Sequence, residues 1–247
     1  FFILFGDRKF TCSKALFIFF NSSIFYYYVA IMKKILVIYS GGLDSFTLLN
    51  EAINKFEHVE AITFNYGQKH NKEIDFAARF CAESNIPHEI VNLDLEKILS
   101  GSALVGDIQI PEGNYDKEKM KQTVVPNRNM IMISVAASLA IRNKLDYLWY
   151  GAHAGDHEIY PDCRPEFIDK LGAVLSICDY HQLNFEAPYM SLSKNEIVSK
   201  GLKMNLNYSK AWTCYAGGSK PCLKCSSCLE RASAFKFNQT EDPLNDI

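Results

Sequence analysis

The chain has 247 residues and a formal net charge of −2, with 48% hydrophobic and 22% charged residues. This composition is ordinary for a globular protein of one domain with an appendage, or of two small domains. The near-neutral charge argues against a protein that clamps a long nucleic acid, because such proteins carry a basic stripe, although it leaves room for a small basic patch.

Residues 1–31 form a strongly aromatic segment that holds eight of the seventeen phenylalanines. Its uncharged part is interrupted by polar residues around Asn21 and is barely long enough to span a bilayer. It has no small-residue cleavage site of the signal-peptide kind. Because Met32 is followed directly by a strand-like run and a motif, we expect the native protein to start at Met32, with residues 1–31 an upstream hydrophobic extension. A hydrophobic anchor is the alternative.

From residue 34 onward, β-branched apolar runs alternate with segments whose apolar residues recur at helical spacing. We predict strands at 34–39, 59–64, 89–93 and 146–150. We predict helices after residue 44, at 71–84, at 130–141, from 165 to about 178, from the Ser-x-x-Glu capping box at Ser193, and from 229 onward. Residues 94–127 are rich in Gly and Pro, and we interpret them as a mobile flap. The alternation predicts an α/β fold with a doubly wound parallel sheet, formed by residues 32–247 as a single domain.

A short motif, SGGLDS, lies directly between the first predicted strand and the first predicted helix (residues 40–45). Glycines permit a sharp turn and close approach of a ligand, and the helix start presents free N–H groups and the positive end of its dipole. Ser40 and Ser45 add hydroxyl donors, so the loop suits an anion of pyrophosphate size. Asp44 would repel bare phosphate, which suggests that a Mg²⁺ ion lies between them. The alternative is a tight turn with a Ser or Asp cap.

Four of the eight cysteines, Cys214, Cys222, Cys225 and Cys228, fall within fifteen residues. Clustered CxxC spacing in a chain of this size is typical of a metal site in a reducing compartment rather than of a disulfide framework. Four thiolates suit a closed tetrahedral Zn²⁺ site with a structural role, which we assign to a small cysteine module at residues 212–232. An iron–sulfur cluster is the main alternative, followed by a redox pair or packed core thiols.

The SGGLDS string in its strand–helix context resembles the PP-loop, or N-type, ATP pyrophosphatases. The resemblance implies an adenine nucleotide alpha hydrolase-like, Rossmann-like fold, and chemistry that cleaves ATP between its α- and β-phosphates. It also implies an ATP-binding segment that comprises Tyr39, Ser40, Gly41, Gly42, Leu43, Asp44, Ser45, Phe46, Thr47, Leu48 and Leu49.

Four further stretches narrow this resemblance: FNYGQKH at residue 64, VPNRN at 125, GAHAGDHEIYPDCR at 151 and WTCYAGGSKPCLKCSSCLERA at 212. Together they are similar to the family of 7-cyano-7-deazaguanine synthases over residues 33–235. The resemblance implies a ligase that uses ATP to convert 7-carboxy-7-deazaguanine and ammonia to the nitrile, a free base on the route to queuosine. The N-terminal extension is absent from the family pattern.

Candidate substrate residues follow the predicted strands, where open α/β sheets bind ligands. Within the family resemblance, we expect Asp44, Ser45 and Arg128 to act in catalysis, with Arg128 in a loop before a helix and bound to a phosphate or to the substrate carboxylate. A surface salt bridge is the alternative for Arg128. The expected substrate-binding residues are Gln68, His153, Asp156, Asp162 and Arg164, and turn or surface roles are the alternatives.

The resemblance further implies a cytoplasmic enzyme, without a membrane anchor or direct contact with nucleic acid, that forms a homodimer. Two other functions remain open at this stage. One is a PP-loop tRNA sulfurtransferase, which shares SGGxDS and sometimes carries clustered cysteines. The other is a non-catalytic protein that binds zinc and nucleotide.

Overall fold

The computed structural model describes residues 33–68, 71–95, 102–105, 121–157, 159–216 and 218–244. In this part of the chain the strands are β1 (Lys34–Ile38), β2 (His58–Asn65), β3 (His88–Asn92), β4 (Tyr147–Trp149) and β5 (Asn184–Glu186). The α-helices are α1 (Leu43–Lys55), α2 (Lys72–Glu83), α3 (Arg128–Arg142), α4 (Pro165–Leu175), α5 (Lys194–Lys203) and α6 (Ser226–Phe237). The expectations about residues 1–31 and about most of the flap at 94–127 lie outside the described residues and stay predictions.

The five strands form one sheet in the order β3-β2-β1-β4-β5, and every neighbouring pair is parallel. The predicted parallel sheet is therefore confirmed. From β1 the sheet continues through β2 to β3 on one side and, beyond β4, to β5 on the other side. The direction in which successive strands are added therefore reverses between β1 and β4. Loops that leave the carboxyl ends of strands at such a point diverge and open a crevice.

The sheet is covered on both faces, and alternate residues of β1 belong to different cores. Ile35 and Val37 pack in a cluster with residues of α1, α2, α5 and α6. Leu36 and Ile38 pack in a second cluster with residues of α3 and α4. Burial on both faces explains why β1 is a continuous apolar run. The helices on both faces make the sheet doubly wound, as expected.

Local signals account for several boundaries. Ser193 and Glu196 form the predicted capping box: Ser193 Oγ accepts from the Glu196 N–H at 3.3 Å, and a Glu196 carboxylate oxygen accepts from the Ser193 N–H at 2.7 Å. Pro165 begins α4 as predicted. Strand β5 was not predicted, because only Phe185 in its three residues is apolar, and its pairing with β4 decides its conformation.

Helix α3 starts two residues earlier than predicted, so Arg128 lies in its first turn and not in the preceding loop. Asn127 adopts a left-handed conformation with φ of 56° before the helix. The Asp162 carboxylate accepts a hydrogen bond from the Asn129 N–H at 3.2 Å, which satisfies one of the free amides at the helix start. The expectation of a loop position for Arg128 was therefore wrong, because a tertiary contact caps the helix.

One stretch of the described residues, Lys121–Arg142, is long and apolar enough to be a candidate membrane span. Its α-helical part is α3, whose 15 residues fall short of the about 20 that cross a bilayer. Ile133, Ala136, Ala137 and Ala140 of α3 are buried in the core beneath the sheet. We therefore interpret this stretch as a core helix.

Candidate active site and metal centre

A cavity of about 250 Å³ opens at the switch point of the sheet, where the segments that follow β1, β2 and β4 meet. Ten of the residues that the sequence singled out line it: Tyr39, Ser40, Gly42, Leu43, Asp44, Ser45, Gln68, Arg128, His153 and Asp156. These residues come from four separate segments of the chain and converge on one cavity. This convergence makes it the candidate active site.

The SGGLDS segment at residues 40–45, which we call the phosphate loop, is held in shape by the hydroxyl groups of its own serines. Ser40 and Ser45 Oγ atoms lie 3.0 Å apart, the Gly42 N–H donates to Ser40 Oγ at 3.1 Å, and Ser45 Oγ donates to the Gly42 carbonyl at 3.1 Å. Gly42 is the N-cap of α1, and no side chain caps this helix. The first amides of α1 therefore remain available to an anion in the cavity.

Gly41 is required where the loop passes beneath helix α2. Its φ is +90°, and a Cβ atom placed on it would lie 2.1 Å from the Glu73 backbone carbonyl oxygen. Only glycine combines this backbone conformation with so close an approach.

Asp44 is the most strongly tied residue of the loop. Its Oδ2 atom lies 2.6 Å from Lys194 Nζ and 3.8 Å from His153 Nε2. Burial alone would raise the pKa of Asp44, but the Lys194 ammonium and His153 outweigh it and hold that pKa below the usual range. The Oδ1 atom is buried and has no hydrogen-bond partner among the described residues. A buried carboxylate oxygen without a partner is a suitable ligand for a cation.

A second carboxyl group, Glu73 in the first turn of α2, also lines the cavity. Burial raises the pKa of Glu73 to about 8, and the negative charge of Asp44 adds to this increase. Two carboxylates near one another in a poorly solvated site do not both ionise readily. Glu73 therefore keeps its proton at neutral pH in the ligand-free protein.

Arg128 and a group of aromatic side chains line another part of the cavity. Arg128 Nη1 donates to the Tyr66 hydroxyl at 3.1 Å, and its guanidinium carbon lies 5.7 Å from the centroid of the Tyr66 ring. Tyr150 and Tyr160 line the same cavity. A guanidinium group stacked against an aromatic ring keeps further N–H donors for a planar anion such as a carboxylate.

His153 and Asp156 lie in a single 3₁₀ turn after β4, joined by a capping box. His153 Nδ1 accepts from the Gly155 N–H at 3.0 Å, and its Nε2 atom is 3.6 Å from the nearer Asp156 oxygen. Gln68 lines the cavity, but its amide is used by the backbone: it accepts from the Tyr66 N–H at 2.8 Å and donates to the Phe64 carbonyl at 3.0 Å.

The structure does not bring two of the expected substrate residues to the cavity wall. Asp162 caps helix α3, and Arg164 is exposed, with Nε donating to the His157 carbonyl at 2.9 Å. Within the expected ATP-binding segment, Gly41 lies beneath α2. The other four residues face away from the cavity: Phe46, Thr47, Leu48 and Leu49 are buried, and the Thr47 hydroxyl bonds Tyr208 at 2.8 Å.

The four clustered cysteines meet at the start of α6. Their Sγ atoms all lie within 4.8 Å of one another, and those of Cys222 and Cys228 are 4.0 Å apart. Backbone N–H groups of Ala216 and Cys222 donate to Cys214 Sγ at 3.4 and 3.3 Å. Cys225 is the N-cap of α6 and Cys228 lies in its first turn, where the helix dipole favours a thiolate. The predicted cluster is therefore confirmed as a site that can hold a metal ion.

Lys194, Glu73 and Glu230 line the cavity although the sequence did not single them out. Lys194 Nζ lies 3.2 Å from a Glu230 oxygen in addition to its contact with Asp44. Lys194 is the first residue of a capped helix, and this position by itself does not indicate a functional site. Glu230 follows the cysteine cluster by two positions, so its neighbourhood was the only sequence signal.

Comparison with known proteins relates the chain to one family. Residues 34–239 match the family model described as queuosine biosynthesis protein QueC. The chain is 49% identical over 212 residues to the 7-cyano-7-deazaguanine synthase of Marinobacter nauticus, covering 85% of this chain and 96% of that protein. It is 48% identical over 213 residues to the corresponding synthase of Pseudoalteromonas translucida, covering 86% and 98%.

Solved structures are similar only remotely. The NMN synthetase of Francisella tularensis gives a TM-score of 0.49 at 10% identity, covering 85% of this chain and 78% of that chain. The U34-tRNA thiolase of Methanococcus maripaludis gives 0.45 at 21% identity, covering 84% and 66%. The family match and the curated relatives extend over nearly the whole of the described chain, and on that basis the chain belongs to the QueC family of queuosine biosynthesis proteins.

Proposed function

We propose that this chain is an ATP-dependent synthase that converts 7-carboxy-7-deazaguanine and ammonia to 7-cyano-7-deazaguanine. The observation that carries the proposal is the cavity at the switch point, which combines an uncapped helix start, Asp44 and Arg128, in a chain that spans almost the full length of relatives with this name. An anion-binding loop and a separate cation suit two substrates that both carry negative charge.

The phosphate loop would hold the pyrophosphate part of ATP. The free amides at the start of α1 would be the donors on the cavity side, the hydroxyls of Ser40 and Ser45 would hold the loop in shape, and Lys194 adds a positive charge. Asp44 Oδ1 would be a ligand of Mg²⁺, since it is buried and lacks a partner among the described residues. The ion would neutralise phosphate charge that Asp44 would otherwise repel.

In the proposed reaction, the substrate carboxylate oxygen attacks the α-phosphorus, pyrophosphate leaves, and an acyl adenylate forms. Ammonia then attacks the acyl carbon, and AMP leaves with that oxygen to give the amide. Activation of the amide oxygen in the same manner, followed by its departure and loss of the two amide protons, gives the nitrile. Arg128 would hold an anionic group of either substrate in the attacking geometry.

The cysteine module would hold one Zn²⁺ ion. Zn–S bonds of about 2.3 Å imply sulfur atoms about 3.8 Å apart in a tetrahedron, and the four Sγ atoms lie within 4.8 Å of one another. Zinc with four thiolates has no open coordination position, so its contribution would be to fold and hold this segment. Iron–sulfur ligation by the same cysteines is the alternative that metal analysis decides.

The product is a free base, so the enzyme has no need to bind tRNA, in agreement with the net charge of −2. We further propose a cytoplasmic enzyme without a membrane anchor. A homodimer remains a prediction from the family resemblance, and light scattering of the purified chain would test it.

The decisive experiment supplies the purified chain with 7-carboxy-7-deazaguanine, ammonium and MgATP and follows the base by mass spectrometry. We expect nitrile and AMP to appear together, and Asp44→Ala to abolish both. Glu83→Gln serves as a control, because Glu83 forms an exposed pair with Lys210 remote in sequence from the loop. Binding of ATP without turnover would favour the non-catalytic alternative, and sulfur transfer to tRNA would favour the sulfurtransferase.

A further inference from the structure

The cysteine module forms one wall of the candidate active site. Trp212, Thr213, Tyr215, Ser227 and Glu230 all line the cavity that contains the phosphate loop. These residues lie in the same short stretch of the chain as the four cysteines of the cluster. A segment that only supported the fold from a distance would not contribute side chains to the cavity.

The first connection between the module and the loop runs through the backbone. The Trp212 N–H donates to the carbonyl of Gly41 at 3.0 Å, and Trp212 Nε1 donates to the Cys214 carbonyl at 3.0 Å. Lys72 Nζ lies 3.9 Å from the centroid of the Trp212 ring and also donates to the Gly218 carbonyl at 3.2 Å. The loop, helix α2 and the module therefore share one fully buried tryptophan.

The second connection is a chain of charges. Glu230 lies in α6, two residues after Cys228, and one of its oxygens is 3.2 Å from Lys194 Nζ. The same ammonium is 2.6 Å from Asp44 Oδ2. The side chain of Lys194 is only 12% exposed, so its position is set by these two carboxylates and not by solvent. Cys225 is the N-cap of α6 and Cys228 lies in its first turn, so a metal ion held by these thiols would fix the end of the helix from which Glu230 projects.

We propose that Glu230 is a positioning residue that couples the metal-binding module to the nucleotide site by holding Lys194 against Asp44. The proposal rests on the proposed function, because it assigns the nucleotide to the loop that contains Asp44. When two sites are coupled, each ligand changes the affinity for the other by the same factor, so a nucleotide that bridges the loop and the module is expected to raise the affinity of the module for its metal. Typical couplings correspond to factors of about 5 to 150.

The test measures the metal that the purified holoprotein retains at equilibrium against a colour-forming chelator, with and without α,β-methylene-ATP and Mg²⁺. This analogue cannot be cleaved between its α- and β-phosphates. Its affinity for each protein is measured separately by calorimetry, and the chelator assay is run at saturation. We expect the analogue to raise the metal affinity of the wild type at least about fivefold, which protects the metal from the chelator. We expect Glu230→Gln to bind one metal ion per chain, as the wild type does, and to lose most of this protection.

The matched control is Glu83→Gln, which removes a carboxylate from an exposed pair with Lys210 and should keep the full protection. Wild-type protein that binds the analogue but holds its metal with unchanged affinity would overturn the coupling. Glu230→Gln with undiminished protection would overturn the role of Glu230. Failure of the wild type to bind the analogue at all would instead overturn the proposed function, and the coupling with it.

Discussion

Replacing Gly41 with alanine is expected to destabilise the folded protein, because the new methyl group would meet the backbone of helix α2. The added Cβ would lie 2.1 Å from the Glu73 carbonyl oxygen, far inside van der Waals contact, at a φ of +90°. A non-glycine residue in a left-handed conformation costs about 1–2 kcal/mol, and overpacking a buried site costs about 1–3 kcal/mol. The sum is about 2–5 kcal/mol, or a Tm decrease of roughly 4–20 °C for a chain of this size.

Urea and thermal unfolding of the purified variants would measure this effect, and binding of an ATP analogue would measure distortion of the loop. The control is Gly172→Ala in helix α4, where the nearest atoms to a new Cβ lie at 3.8 Å, an ordinary contact. Removing glycine from a helix interior should stabilise this variant by about 0.5–1 kcal/mol. A Gly41→Ala protein within about 0.5 kcal/mol of the wild type would refute the steric reasoning.

Three further predictions concern charge and metal. Arg231→Met should lower the free energy of unfolding, measured in urea, by about 3–5 kcal/mol, because it leaves buried Asp242 without its bidentate partner. Adding Asp242→Leu should recover part of this loss. If the losses from the two substitutions simply add, this explanation is wrong. Between pH 4.5 and 8 folded Glu73 keeps a proton that the unfolded chain has released, so its contribution to stability falls as pH rises. As the pH rises from 5 to 8, the free energy of unfolding of Glu73→Gln should therefore increase by about 1–3 kcal/mol relative to that of the wild type, after a discount for partial exposure. Curves of unfolding free energy against pH that run parallel for the two proteins would contradict this prediction. Removal of the metal by a chelator should lower the Tm and reduce the helical signal in circular dichroism. Elemental analysis should find one zinc ion per chain. Iron together with sulfide, or a Tm that does not change after metal removal, would contradict the structural zinc assignment.

The fold was predictable because its signals are local. The apolar run of β1 and the Ser193 capping box each appear within a few residues, and both elements formed where they were expected. Strand β5 was missed because three residues with one apolar side chain carry no periodicity, and it exists only through hydrogen bonds to β4. The start of α3 was misplaced because its cap, Asp162, comes from a segment more than thirty positions away.

The site was predictable to the same extent. SGGLDS and the cysteine cluster each lie within a short stretch of sequence, so the chemistry of each can be inferred from residue types and spacing. Lys194 and Glu73 come from separate helices that meet Asp44 only in the folded chain, and their residue types are common on protein surfaces. Arg164 was expected at the substrate and instead lies exposed, because the direction of a loop side chain depends on the packing of its neighbours.

The amino-acid sequence by itself determined the parallel α/β architecture, the SGGLDS turn between β1 and α1 and the cluster of four cysteines, since each depends on backbone preferences and on residues within a short stretch. Only the tertiary structure decided that the loop and neighbours of the cysteines line one cavity. The position of β4 beside β1 opens the crevice, and the packing of α5 and α6 brings Lys194 and Glu230 to the loop. Contacts between distant segments depend on how whole faces of helices and sheet are buried together, and no short stretch of sequence records that outcome.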